Sequence, residues 1–142
     1  MVIGIFGESC TGKSSIAAAL RDKTGGTVYT GKDYLKLAKN EADAKRVFTD
    51  LLQGDKTVIY VISEKEDLAL LPKDAFRVLV TAELDVIKER FVSRMNGRNL
   101  PPPVEAMLER RHGFLDAEPH NLKVEGGKDN IEDICGLILR SV

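Results

Sequence analysis

Gly7-Glu8-Ser9-Cys10-Thr11-Gly12-Lys13-Ser14 decides how the rest of the chain is read. It fits the pattern G-x-x-x-x-G-K-[ST] at every fixed position. Directly before it stands Val2-Ile3-Gly4-Ile5-Phe6, an apolar run of strand length. Directly after it, Ser14 to Asp22 is alanine-rich and helical in character, ending near Gly25-Gly26. Strand, glycine loop and helix in that order give the pattern its mechanism. Glycines let the backbone curl so that several N–H groups point at one anion, and the helix aims its positive dipole end at the same place. The expectation is a nucleoside triphosphate, ATP with Mg2+, bound by Gly7, Glu8, Ser9, Cys10, Thr11, Gly12, Lys13, Ser14 and Ser15. Lys13 has the reach for the β- and γ-phosphates, and the Ser14 hydroxyl for magnesium. Cys10 occupies a variable position and reads as a tolerated small residue rather than a redox switch.

Outward from this loop, the chain alternates short apolar runs with amphipathic stretches. Thr27–Thr30, Val58–Ile62, Phe76–Val80 and a weak Leu122–Val124 are the further strands. One long helix is expected from about Asp33 to Gln53, with Val47, Phe48, Leu51 and Leu52 as its apolar stripe. Ser63 and Glu66 match a capping box for a short helix that Pro72 ends. Helices follow over about Glu83–Met95 and Val104–Asp116, separated by Asn96-Gly97-Arg98-Asn99-Leu100-Pro101-Pro102-Pro103, whose glycine and prolines interrupt helical structure. Ile131, Ile134, Cys135, Ile138 and Leu139 give the last helix one continuous buried face. Nearly all-apolar strands alternating with helices predict an α/β protein with a parallel sheet covered on both faces, a three-layer sandwich.

The bulk numbers agree with one domain over 1–142. Of 142 residues, 43% are apolar and 30% charged, which excludes a disordered chain. The formal net charge of −1 gives no overall attraction to nucleic acid or anionic lipid. Two cysteines make neither a disulfide framework nor a zinc cluster. No stretch is long enough to cross a bilayer, and Val2–Phe6 lacks a basic leader, so the expected setting is cytoplasmic, with no membrane partner.

With its N-terminal Walker A strand–loop–helix, an arginine-bearing segment after the fourth strand and a C-terminal Val124-Glu125-Gly126-Gly127-Lys128-Asp129-Asn130-Ile131 turn into the last helix, the chain resembles the small P-loop kinases of the nucleoside/nucleotide kinase and shikimate kinase group. The resemblance implies a five-stranded parallel sheet in order 2-3-1-4-5 and a lid at about 94–104. It also implies an ATP-dependent phosphotransferase with a small-molecule acceptor, a nucleoside or nucleotide being preferred. The alternative is an ATP-binding regulatory or NTP-hydrolysing module without such an acceptor. A GTPase is disfavoured because no N-K-x-D motif occurs.

Phosphoryl transfer spreads negative charge over the moving group, so positioned cations are the main catalytic device. Arg90, Arg94 and Arg98 recur every four residues, and Arg94 and Arg98 are the expected phosphate clamps beside Lys13, with Arg90 and Arg110 in reserve. Asp33, just after the second strand, is the candidate carboxylate for the acceptor hydroxyl, or else an N-cap for the following helix. Lys32, Lys36 and Arg46 could meet an acidic acceptor. Glu64, beyond the third strand, stands where an acid could hold magnesium through water. His112 and His120 show no metal-ligand spacing. Phe91 is the nearest aromatic before Phe114, which makes a nucleic-acid stacking surface a poor fit.

Overall fold

The structure, a computed structural model, describes residues 1–142. Five parallel strands form one sheet in the order β2-β3-β1-β4-β5: β1 (Val2–Phe6), β2 (Thr27–Thr30), β3 (Val58–Ile62), β4 (Phe76–Thr81) and β5 (Leu122–Glu125). This is the expected topology, 2-3-1-4-5.

Strand side chains alternate between two apolar layers, as period-2 geometry requires. Val2, Phe6, Val58, Tyr60, Ile62 and Leu79 face one way. Ile3, Ile5, Ile59, Val61, Val78 and Val80 face the other. On the second face lie α1 (Lys13–Thr24) and α6 (Ile131–Ser141), which contribute Ile16, Ala17, Leu20, Ile134, Cys135 and Ile138. On the first lies α2 (Glu41–Leu52), whose Phe48 stacks on Tyr34 at 5.1 Å and meets Tyr60 edge-on at 4.9 Å. Such aromatic pairs add about 1 kcal/mol each beyond the area they bury. β1 and β3 are buried along their whole length, which explains why they read as continuous apolar runs.

Three local expectations are corrected. The long helix from Asp33 to Gln53 is broken in two: a 3-10 helix covers Asp33–Leu37, and α2 starts at Glu41. Asn40 makes the break, because its side chain accepts a hydrogen bond from the Asp43 N–H and caps α2. The capping box at Ser63 and Glu66 does not form. The short α3 (Lys65–Leu68) has no side-chain cap, and Glu66 is drawn instead into an ion pair with Lys32 at 2.8 Å. Finally, α5 runs over Pro102–Arg111, starting and ending earlier than Val104–Asp116. Proline fits the first helical turn, whose N–H groups have no intrahelical partner anyway. The left-handed Gly113, φ 75°, follows its end.

α4 (Leu84–Arg94) matches expectation closely. Its Ile87 packs with Cys10, Ala82 and Leu108 in a third apolar cluster that binds α4 and α5 to the glycine loop. All five strands point their C-terminal ends to one edge, so the loops carrying the candidate functional residues collect there. No helix is long and apolar enough to cross a membrane.

Candidate functional site

The loop between β1 and α1 is fixed at its back by two close backbone approaches. A Cβ on Gly7 would lie 2.2 Å from the Val80 carbonyl oxygen, and one on Gly126 would lie 1.7 Å from that of Thr11. Only glycine permits either contact. β4 and the turn after β5 thus form the rear wall of the loop. Cys10 adopts a left-handed conformation, φ 66°, unusual for a residue with a side chain.

Within this frame, none of the backbone N–H groups from residue 8 to residue 15 donates to a protein oxygen. The Gly7 N–H before them goes to the Ile62 carbonyl at 3.2 Å, and the Ile16 N–H after them to the Gly12 carbonyl at 3.4 Å. α1 has no side-chain cap and no acid in its first turn. α2 and α6, by contrast, are capped by Asn40 and Asn130. A run of free amides at an uncapped helix start is an anion cradle.

Lys13 is buried, 5% exposed, with its Nζ donating to the Glu8 carbonyl at 2.6 Å. Burial pushes its pKa down to about 8, with the nearby Arg94 charge pulling the same way and Cys10 and Glu8 opposing. A buried ammonium whose one strong partner is a neutral carbonyl would gain greatly from an anion. The Ser14 side chain is exposed at the loop's open side.

Arg90 and Arg94 project from α4 onto this loop. Arg90 Nη1 donates to the Cys10 carbonyl at 2.9 Å, and its other terminal nitrogen lies against Gly127. Both arginines, with Gly12, Ser15, Gly127 and Ile131, line an open cavity of about 480 Å³. The structure therefore brings together Lys13, Arg94 and the reserve candidate Arg90. It leaves Arg98 in the exposed stretch after α4, with no side-chain hydrogen bond or ion pair, and Arg110 exposed on α5.

On the other side of the loop lies the end of α5. Both Glu64 carboxylate oxygens accept from Arg111, at 3.3 and 2.9 Å, and the Arg111 guanidinium also stacks over Phe114 at 4.3 Å. Glu64 is thus committed to an ion pair. Glu105 and Glu109 on α5 bind Lys88 of α4, at 3.2 and 2.7 Å. Glu8, Ser9, Ser63, Leu108, Arg111 and Phe114 surround a space of only about 20 Å³.

After β2, Asp33 accepts from the Thr30 N–H at 3.3 Å and closes a turn; it caps no α-helix. Lys32 is held by Glu66 and the buried Asp67, at 2.8 and 2.9 Å, and these bonds push its pKa up. Arg46 pairs with Asp43 at 3.1 Å. No group of three or more His, Cys, Asp or Glu is arranged to hold a metal. Magnesium would fit such a site only by keeping most of its shell as water and phosphate oxygen, and Ser14 is the hydroxyl on the loop that could serve it.

Sequence reading missed the side-chain roles of Glu8, His112 and Arg111. Glu8 and Gly113 are separated by 105 positions yet hydrogen-bonded, and no local pattern signals such a pair.

No protein-family model matches the chain, and no curated protein does. Solved structures do match over nearly its full length. Shikimate kinase from Aquifex aeolicus is 21% identical with a TM-score of 0.62, covering 99% of this chain and 95% of that one. The YorR protein from Bacillus subtilis, in complex with phosphorylated GDP, is 18% identical with a TM-score of 0.67, covering 99% and 95%. A gluconokinase from Sinorhizobium meliloti is 17% identical with a TM-score of 0.64, covering 98% and 89%. With the strand order and the glycine loop already in hand, these likenesses establish that the chain has the P-loop kinase-like fold.

Proposed function

We propose that this protein is an ATP-dependent phosphotransferase acting on a small-molecule acceptor. The observation that carries the proposal is the run of free amides over residues 8 to 15 around the buried Lys13. No structural role uses these groups, and together they match the oxygens of a triphosphate. Magnesium, when bound, would neutralise charge on the phosphate oxygens, with Ser14 as its protein ligand. Lys13 would leave the Glu8 carbonyl for the β- and γ-phosphates. Arg94, and Arg98 once its segment closes as a lid over about 94–104, would stabilise the charge that develops on the transferred group. Arg90 holds the loop through Cys10 and forms a wall of the nucleotide cavity. Asp33, on the same edge of the sheet, is the carboxylate proposed to orient the acceptor hydroxyl.

A nucleoside or nucleotide acceptor, the preference drawn from sequence, needs an aromatic or apolar platform for its base. YorR, crystallised with phosphorylated GDP, gives that preference a structural relative. Phe114 is the one aromatic side chain lining the space beside Glu8 and Ser9, and Arg111 covers its face. Tyr34 and Tyr60 are buried in the core. These features favour a compact hydroxylated acceptor, as the shikimate kinase and gluconokinase neighbours have by name.

A second reading has one specific observation behind it. The Arg111–Glu64 pair and Phe114 nearly fill the space next to the loop, as in a module where ATP orders a surface for a partner and no acceptor enters. Incubation with labelled ATP, magnesium and a panel of polyols, hydroxy acids, nucleosides and nucleotides separates the two. The expected result is transfer to one class, abolished in Lys13→Ala. Tight ATP binding with no transfer to any member supports the module.

A further inference from the structure

Glu8 occupies a variable position of the phosphate loop, yet its two ends are both engaged. Its backbone carbonyl accepts from Lys13 Nζ at 2.6 Å and from Thr11 Oγ1 at 3.0 Å. Its carboxylate crosses to the far end of α5, where Oε1 accepts from the Gly113 N–H at 3.2 Å and lies 3.0 Å from His112 Nδ1. That carboxylate is 11% exposed, so its contacts are formed largely out of water and are correspondingly firm. Immediately before His112 stands Arg111, and immediately after Gly113 stands Phe114, the two groups that close the small space beside the loop.

We propose that Glu8 is a positioning residue that couples occupation of the phosphate loop to the end of α5, so that binding a triphosphate loosens the acceptor side. The inference rests on the proposed nucleotide reading. The coupling follows from charge. In the free protein, the Lys13 ammonium sits on the Glu8 peptide and is close enough for the Glu8 carboxylate to favour its charged form. Binding an anion draws Lys13 away from that carbonyl and places net negative charge near the Glu8 carboxylate. Like charges at short range in a partly dry site repel strongly. Repulsion acts on the group that holds His112 and Gly113, and the end of α5 is released. The other charged groups facing this junction are Asp116, whose carboxylate lies against Gly113, and Arg111 with its partner Glu64, which remain paired and act as the hinge side. Opening would enlarge a space that now admits about one water, so the acceptor would enter after the nucleotide.

Amide hydrogen exchange over residues 107 to 116 tests the idea, with and without a non-hydrolysable ATP analogue and magnesium. Analogue binding is followed separately by calorimetry. In the unaltered protein, exchange should quicken about threefold or more on saturation. Glu8→Gln retains an acceptor for the Gly113 N–H but carries no charge. Its free state should stay protected while its response to saturating analogue falls to less than about half that of the unaltered protein. His112→Ala, which leaves the loop sequence intact, should raise exchange in the free state and shrink the response. Analogue binding with unchanged or slower exchange in the unaltered protein overturns the coupling alone, as does a Glu8→Gln response equal to it. Absence of analogue binding overturns the nucleotide reading and the coupling with it.

Discussion

Arg90 Nη1 donates to the Cys10 carbonyl oxygen at 2.9 Å, so that α4 holds the one non-glycine residue of the phosphate loop with a positive φ. A left-handed residue with a side chain costs about 1 kcal/mol or more and persists where its surroundings hold it. Here the holding is shared between this charge-assisted bond and the apolar packing of the Cys10 side chain against Ala82, Ile87 and Leu108.

Arg90→Ala removes that bond and the wall beside Gly127. The expected outcome is a loss of about 1–2 kcal/mol in stability, the usual worth of a partly exposed hydrogen bond to a charged group. ATP-analogue affinity should also fall, by about tenfold, because the loop amides lose their fixed direction. Denaturant titration and calorimetry read the two effects. Stability and affinity both unchanged would mean that the loop holds its shape without Arg90.

Lys13 links affinity and stability to pH. Its folded pKa is near 8, against 10.5 for the unperturbed side chain. Between those values the unfolded chain binds a proton that the folded protein releases, so this group makes stability rise with pH across that window, by about 3 kcal/mol in all. Below pH 8, both states are protonated and the penalty for burying the charge is fully present. Lys13→Met should therefore be more stable than the unaltered protein at pH 7, with the gap closing toward pH 10. Triphosphate binding should restore the proton, seen as a buffer-dependent binding enthalpy near pH 9. A stability gap independent of pH would contradict the buried, easily deprotonated ammonium.

Arg94 and Arg98, equivalent by spacing, are separated by their surroundings. Arg94, though solvent-exposed, lines the proposed nucleotide cavity and is close enough to Lys13 to lower its pKa. Arg98 stands exposed after the helix end. Arg94→Ala should lower kcat about 100-fold, with a change of less than about tenfold in nucleotide affinity, as for a contact that strengthens in the transition state. Arg98→Ala should lower kcat about tenfold, since its contribution depends on prior closure of its segment. Single-turnover rates on the identified acceptor check both, and no loss in either removes the clamp.

Asp33→Asn tests the acceptor carboxylate. Asparagine can still accept from the Thr30 N–H, so stability should change by less than about 0.5 kcal/mol. Transfer should fall about 100-fold or more, the usual loss when an acid–base group is removed. A lower melting temperature with an intact rate would assign Asp33 to the turn alone.

The parts of this protein that were legible in sequence are those whose cause is local. The glycine loop and the five strands follow from spacing or from backbone need and stand where expected. The apolar face of α6, by contrast, is buried only at Ile134, Cys135 and Ile138, because Ile131 at the helix start is 39% exposed and Leu139 lies at the margin. The break at Asn40 was hidden because Val47, Phe48, Leu51 and Leu52 continue a helical stripe whose beginning, at Asp33 to Leu37, is also helical but of the tighter kind. α5 starts two residues ahead of its first apolar position, Val104, because Pro102 and Pro103 interrupt a helix only in its interior and are favourable at its start. Among the site residues, the separation of Arg94 from Arg98 depends on where α4 stops, within one turn. The partners of Glu8, Glu64 and Lys32 lie 105, 47 and 35 positions away, and only the crossing of the chain brings them together.

The contact between Gly126 and the Thr11 carbonyl has a consequence for synthesis. Phosphate loop residues are made before β2 to β5, whereas the turn that backs them follows β5, the fifth strand of the sheet to be added. A nascent chain halted before β5 would carry the whole glycine motif and β4 behind it, and still lack the Gly126 half of its rear wall. Competence for nucleotide would then arrive late and abruptly, when the last strand docks against β4 and Gly126 N–H finds the Thr81 carbonyl. On the ribosome, the loop would thus remain incomplete until the chain through Gly126 had emerged.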